Sequence, residues 1–593
     1  MNTEFAELME ALNLSPRPQQ TKLVGLLDAA VAGAPVFAQA GTGTGKSYVL
    51  LTQALACARE SGKPSVVVCP NNSLINQYVT KDAPRIADAV GGSFIYLKGR
   101  TRYVCENSSA LKVRFLGDVD GRKSWVEKIT ANGEWEWANL GLTEDHGCPG
   151  SRKCKTRCVC GAKEHKRVCG YQDGFSCDAH IKCECAPPLC GILKMRELAQ
   201  FSDVVITNAH LLVWNWRVSK MTVGRVQLLP EYGALFIDEC HELESIGRDV
   251  MSLEIGPKSK LWSWDPAARW LAASVAEMEQ ADVTERVLDP ESAWVSGIRQ
   301  VAEERIMQLD PDKDEDEYDR VSTFLEILRG ANDAVATLQI RPDGSPVLAL
   351  RMISAVPMFQ QVLGAQPTGL VSGTIPSSDR RRLGFTKSRI TDVGHPFDYS
   401  KCKLYVSPLD PTNPGDFSGR VKTAVSAIRK VHERGGGTLV LFTSWTDLDA
   451  VSEALFIKLP PEIRDAMWVQ AREYEPGTSL AQDVAEFAEH GRGVLLGVRS
   501  LYTGIDIPGP ALSQVIVWKL PYQVPDAEVM AIQNIHGWSV SKDQMLMVLT
   551  QGIGRLVRTQ TDEGNVLIMD RRADNLDFAS NSMTHHLTEF RRI

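Results

Sequence analysis

Short apolar runs alternate along the chain with longer stretches whose apolar residues recur every three or four positions. That alternation predicts parallel strands, buried on both faces, separated by covering helices. The runs fall into two blocks. Strands are expected at 35–40, 65–70, 94–98, 203–208, 234–238 and 369–374, then at 403–407, 438–443, 493–498, 514–520 and 565–570. Helical periodicity is clearest at 419–433 and 480–489. Two insertions interrupt the first block. One is the cysteine-rich stretch 105–190; the other, 251–347, reads as helical, with Trp294, Ile298, Val301 and Leu309 near one helix face. The acidic run DPDKDEDEYD that follows reads as a solvated loop. The expected organisation is a first α/β domain from 1–104, 191–250 and 348–390, the two insertions, and a second α/β domain at 391–593.

Composition adds compartment and partner constraints. At 593 residues the chain fits several domains of about 150 residues each. No apolar run approaches the roughly 18 residues of a membrane span. The start, MNTEFAELME, lacks the basic-then-apolar order of a secretory signal, so a soluble cytoplasmic protein with no membrane partner is expected. Nine of the fourteen cysteines lie between Cys148 and Cys190, and in a reducing compartment such clustering points to metal rather than disulfides. That segment is basic, with Arg152, Lys153, Lys155, Arg157, Lys163, Lys166, Arg167 and Lys182 against four acidic residues. A net charge of -8 selects no partner by itself, because nucleic-acid binding depends on where the cations cluster.

The strongest chemical signal is QAGTGTGKS, which joins an expected strand to an expected helix. Gly41, Thr42, Gly43, Thr44 and Gly45 form a turn whose backbone N–H groups converge on phosphate oxygens. Lys46 supplies charge to the β- and γ-phosphates of ATP, and Ser47 offers a hydroxyl to Mg2+. In ALFIDECHELE the apolar run ends at Asp238-Glu239, which places both carboxylates at a strand's C-terminal edge. Asp238 would orient the magnesium and Glu239 would polarise the attacking water. Arg555 and Arg558, three apart on an expected helix, share one face and can reach a γ-phosphate as arginine fingers.

The order of these motifs resembles the superfamily-two helicases, and within them the XPD/DinG iron–sulfur family. RPQQ, with Arg17 and Gln20, is similar to the family's adenine-side motif, and KGRTRYVC to the segment that introduces its first cluster cysteine. SDVVITNAHLL, DECH, VSGT, HPFDY, LVLFTSW, SLYTGIDIPG and QGIGRLVR follow in the family's order. Gln39, Cys240, Gly373 and Thr503 depart from its usual residues. The resemblance implies two RecA-like motor domains, with Gly504 and Asp506 linking the nucleotide cleft to a DNA track and Gln551 reaching the nucleotide or its water. It also implies a 4Fe–4S cluster between the phosphate loop and DECH. Cys105 and Cys190 match the outer ligands; Cys177 and Cys185 are one inner pair, and Cys148 and Cys154 compete with them. The six cysteines left over, among them Cys158 and Cys160, with His165 and His180 nearby, could hold a separate Zn2+ or remain unligated.

The implied activity is ATP-dependent unwinding of DNA, 5′ to 3′ on single strands, on forked or 5′-tailed duplexes, with the metal-stapled segment as wedge. Trp125, Trp135 and Trp137 could stack bases there or pack the small domain. The competing readings are an RNA or RNA–DNA hybrid remodelling ATPase, and a metal-bound nucleic-acid adaptor with a degenerate motor.

Overall fold

The computed structural model describes residues 3–41, 43–99, 191–311, 313–474, 478–502, 511–557, 559, 562–578 and 583–592. In chain order, β1 (Val36–Ala40), β2 (Ser65–Cys69), β3 (Phe94–Leu97), β4 (Val204–Asn208) and β5 (Ala234–Asp238) belong to one sheet. The chain then forms β6 (Leu253–Ile255), β7 (Glu285–Val287), β8 (Ala334–Ile340) and β9 (Pro346–Met352), and returns to the first sheet with β10 (Thr368–Ser372) and β11 (Ile390–Gly394). A second sheet takes β12 (Lys403–Val406), β13 (Gly437–Leu441), β14 (Met467–Val469), β15 (Val494–Gly497), β16 (Leu512–Val517), β17 (Asn565–Ile568) and β18 (Arg591–Arg592).

The first sheet is parallel throughout, in the order β11-β1-β10-β5-β2-β4-β3. The second is also parallel, ordered β14-β15-β13-β16-β17-β12-β18. Every residue of β2, β4, β5 and β10 is buried, as expected where helices cover both faces. The order of the first sheet sets β1, β10 and β5 side by side. Whatever leaves their C-terminal ends therefore meets at one edge, where open parallel sheets bind ligands. Several helices begin just after a strand with a side-chain cap. Asn208 at the end of β4 accepts from Leu211 N at 2.8 Å, and Ser444 after β13 accepts from Asp447 N at 3.1 Å.

The 251–347 region differs from its expected all-helical form. It contains the helices Asp265–Gln280, Ala293–Gln308 and Glu315–Arg329, but also an antiparallel sheet ordered β6-β9-β8-β7. AVATLQI and PVLALRM alternate too weakly to separate strand from helix by periodicity, and their pairing across a short turn decides the matter. On the middle helix the buried face is Val295, Ile298 and Ala302, while Val301 is exposed. Trp294 instead packs on Trp270 with ring centroids 4.8 Å apart, in an aromatic core that also holds Phe324. The acidic run is a loop only in its first part; from Glu315 the backbone continues as the helix Glu315–Arg329.

Charged groups cross the seam between the two sheets. Arg248, on the helix Leu243–Met251, bonds Glu244 at 2.9 Å and reaches Glu528 on the helix Ala527–His536. Arg382 also reaches Glu244. Asp543, on the helix Ser539–Ile553, accepts from the Ser378 hydroxyl at 2.9 Å and the Ser377 hydroxyl at 3.2 Å. Among the described residues no helix is long and apolar enough to cross a membrane.

Candidate nucleotide site

The turn after β1 takes its shape from glycine. Gly43 and Gly45 have φ of 75° and 80°, the left-handed region that other residues enter only with strain. A Cβ on Gly43 would also run into the Phe397 ring, and one on Gly45 would stand 2.6 Å from Gln20 Nε2. The Thr44 hydroxyl closes the turn by donating to Gly41 O at 2.6 Å. The helix Lys46–Ser61 starts at once, with its unpaired N–H groups facing the turn. Arg17 donates to Gly43 O, and Gln20 Oε1 accepts from Arg17 N at 2.9 Å, so the RPQQ segment lies against the turn. Thr42 lies outside the described residues.

Lys46 and the DECH carboxylates come together although they are far apart in sequence. Lys46 Nζ lies 2.9 Å from Glu239 Oε1, and donates more weakly to Ala40 O at 3.4 Å. Burial alone would lower the lysine's pKa, but Glu239 and Asp238 outweigh it and the pKa rises. For Glu239 burial pulls upward, and Lys46 and His241 override it, so its carboxyl is held well below the usual carboxylate range. Asp238 goes the other way. Its burial dominates the pull of Lys46 and raises its pKa.

Glu239 itself sits at φ 49° and ψ 47°, an uncommon conformation for a non-glycine residue. Strain of this kind persists where surrounding contacts fix the residue, here Lys46 on one oxygen and Ser372 on the other. The Ser372 hydroxyl, at the end of β10, donates to Glu239 Oε2 at 2.9 Å. His241 Nδ1 is 2.7 Å from the same hydroxyl, and Gln551 Nε2 is 2.8 Å from His241 Nε2. These bonds suit a ring protonated on Nδ1. Ser372 spends its hydrogen on Glu239, so Nδ1–H donates to Ser372, and Nε2 accepts from Gln551. A continuous hydrogen-bonded chain therefore runs from Gln551, beside the second sheet, to Lys46 in the first.

The oxygen donors Ser47 and Asp238 fit a hard divalent cation such as Mg2+. Tyr78 donates to Asp238 Oδ2 at 2.7 Å, and Glu239 N to Oδ1 at 3.0 Å, which fixes the carboxylate's orientation. Gln39 ties the end of β1 to its neighbours, accepting from Ile375 N at 3.2 Å. Cys240 is buried beside DE, and burial pushes its thiol well up, so it has no nucleophilic character.

The structure brings together Gln20, Gly41, Gly43, Thr44, Gly45, Lys46, Asp238, Glu239 and Gln551. Arg555 follows the same helix as Gln551, and its Nη2 donates to Tyr502 O at 2.9 Å. Arg558, Gly504, Asp506, Cys105, Cys177, Cys185, Cys190, the competing cysteines and the segment's tryptophans lie outside the described residues. Among the described residues no group of three or more His, Cys, Asp or Glu is placed to hold a metal. Tyr78 and Asp82 carried no sequence signal, because their link to the site is purely tertiary.

Two parallel sheets meet over a phosphate loop, with a carboxylate pair and Gln551 between them, an arrangement suited to a nucleoside triphosphate. Residues 427–590 match the helicase C-terminal domain model. The chain is similar to the ATP-dependent DNA helicase YoaA of Escherichia coli K12, 24% identical over 96% of this chain and 94% of that one. It is also similar to the ATP-dependent helicase DinG of Mycobacterium tuberculosis H37Rv, 26% identical over 94% and 90%. Among solved structures it shares its fold with an XPD helicase, at TM-score 0.56, 14% identity and coverage of 98% and 99%. Xpd4 of S. tokodaii matches at TM-score 0.52 and 14% identity, over 97% and 100%. The chain is thus similar in sequence to the helicases DinG and YoaA and shares its fold with the XPD structures.

Proposed function

We propose that this chain is an ATP-dependent DNA helicase that moves 5′ to 3′ on single-stranded DNA and unwinds forked or 5′-tailed duplexes. The observation that carries the reading is the bonded chain Gln551–His241–Ser372–Glu239–Lys46, because it makes the hydrolytic residues of one sheet depend on the position of the other. In this reading the turn 41–45 and Lys46 hold the phosphates, and Glu239 takes a proton from the attacking water. Ser47 and Asp238 hold Mg2+, which when bound neutralises charge on the phosphate oxygens. Arg555 and Arg558 stabilise the charge that develops on the transferred phosphoryl group, which requires Arg555 to leave the Tyr502 carbonyl. Gly504 and Asp506 belong to the link with the DNA track.

A surface suited to bases lies on the second domain. Trp538 is 61% exposed, and its ring stacks on Tyr522 with centroids 6.0 Å apart and planes 24° apart. The Arg572 guanidinium stands 5.6 Å from the Tyr522 ring. Arg572 is itself paired with Asp570 at 2.6 Å, so the platform rests on the exposed Trp538, a face that any base can stack on. The proposal includes the domain limits given above, a wedge at 105–190 and a 4Fe–4S cluster on Cys105, Cys177, Cys185 and Cys190, with the surplus cysteines available to Zn2+. Its test is ATP hydrolysis with single-stranded DNA or RNA, then strand separation on 5′- and 3′-tailed duplexes. Stimulation by RNA alone would favour the remodelling ATPase, and hydrolysis with neither would favour the adaptor.

A further inference from the structure

The helix that begins at Asn72 does not run on regularly. Between Asn72–Gln77 and Ala83–Val90 it passes through a π-helical turn, Tyr78–Asp82, in which Ala83 N bonds back to Tyr78 O. Such wide turns are rare and are frequently found at functional sites. Residues four apart share a side of a helix, so the two ends of this turn face one way. One end is Tyr78, 1% exposed, whose hydroxyl donates to Asp238 Oδ2 at 2.7 Å. The other end is Asp82, whose carboxyl is pushed up by burial while the Ser47 hydroxyl pulls it down. Asp82 is only 8% exposed, and its Oδ2 is buried with no hydrogen-bond partner among the described residues. A buried carboxylate oxygen without a partner is costly enough to require an explanation.

We infer that the turn Tyr78–Asp82 positions both protein ligands of the magnesium site, Tyr78 by holding the Asp238 carboxylate and Asp82 by taking the Ser47 proton and leaving an oxygen for the cation's water shell. This rests on the nucleotide-site reading above and extends it to two residues outside the recognised motifs. The logic is that of outer-shell partners generally. A serine hydroxyl presents lone pairs to a cation only when its hydrogen points elsewhere, and Asp82 supplies that acceptor. A carboxylate with one oxygen hydrogen-bonded is held in a single orientation, and Tyr78 supplies that bond. Tyr78 and Asp82 touch neither phosphate nor reacting water, so both are positioning residues.

The test is magnesium titration of the binding of a fluorescent, non-hydrolysable ATP analogue to the full-length wild type, Tyr78→Phe and Asp82→Asn. Both substitutions keep shape and remove one hydrogen-bonding function, and circular dichroism confirms the fold of each. The expected result is a half-saturating magnesium concentration raised about ten- to a hundredfold in each variant, the usual cost of losing an outer-shell partner. Affinity for the analogue in excess EDTA should match wild type, because the phosphate loop is untouched; a merely structural role would move both values together. Folded variants whose magnesium titration matches wild type overturn the inference while leaving the nucleotide site standing. A wild type that shows no magnesium-dependent analogue binding overturns both.

Discussion

Replacing Glu239 by glutamine separates two roles that the proposed function gives one side chain. The carboxylate receives Lys46 Nζ and the Ser372 hydroxyl, each at 2.9 Å, and its pKa is held well below the usual range. It is therefore charged throughout the neutral range, and its pairing is lost only as pH falls through that depressed value. Glutamine keeps the shape and loses the charge. As the general base it can take no proton, so hydrolysis should fall about 10²- to 10⁴-fold. Binding should move the other way. Lys46 is paired with Glu239, with side chains 11% and 27% exposed, and must leave that pair to reach a phosphate. The gross attraction at this separation is about 6 kcal/mol at an effective dielectric of 20, but desolvation and side-chain ordering cancel most of it. A net of about 1 kcal/mol corresponds to nucleotide bound about fivefold more tightly by the variant. The assay pairs ATP turnover with titration of a non-hydrolysable analogue. Weaker binding, or turnover within tenfold of wild type, would refute the reasoning.

Trp538→Ala should weaken single-stranded DNA binding by about 1–3 kcal/mol, five- to roughly a hundredfold, while leaving DNA-independent hydrolysis unchanged; fluorescence anisotropy of a labelled oligonucleotide reads it, and equal affinity would remove the base platform. Asp379 has both carboxylate oxygens buried without a hydrogen bond among the described residues, and burial raises its pKa to about 7 despite Arg382 at 4.0 Å. The folded state thus holds that proton better than the unfolded one, so this contribution to stability is complete below the ordinary carboxylate value and is lost as pH rises through about 7. Melting temperatures of Asp379→Asn should fall less steeply than wild type over that window, and parallel profiles would contradict the assignment. Cys190→Ser should remove bound iron and the broad visible absorbance of thiolate-bound iron, and with them strand separation, while ATP hydrolysis without DNA survives; unchanged iron content means that Cys190 is not a ligand.

The phosphate loop and the DECH pair were legible because each is a run of consecutive residues at a strand end, where local sequence and local structure coincide. Burial on both faces made the central strands equally plain; SVVVC and ALFID leave no polar face to read otherwise. Of the strands that were missed, β8 and β9 lie in a region read as helical, and others are of another kind. ITDVG of β11 is an edge strand with mostly half-buried residues, and β7 and β14 are three residues long. Neither offers enough apolar residues to mark a period. Tyr78 stands 160 positions from Asp238 and Arg248 stands 280 from Glu528, so nothing along the chain links either pair. Only closure of the sheets does so.

In the proposed function, the helix Ser539–Ile553 joins a grip on DNA and a site for ATP in one rigid part. Fifteen residues at 1.5 Å each give about 22 Å. Trp538 stands at its start, and Gln551 and Arg555 stand at or just past its end. Eleven of its residues are buried, so it cannot bend or fray without disturbing the packing of the second domain. Asp543, near its first third, is held by Ser377 and Ser378, which follow β10 by a few residues. Ser372, at the end of β10, is bonded to Glu239 and His241. The same helix therefore meets the first domain twice, through the segment after β10 and through His241. In the proposed function, a DNA strand that displaced Trp538 would move a body whose far end carries the amide on His241. Closure over a nucleotide, drawn by Arg555, would move the same body in reverse. Coupling of this sort requires no flexible relay, only that the helix be stiffer than the two contacts it bridges.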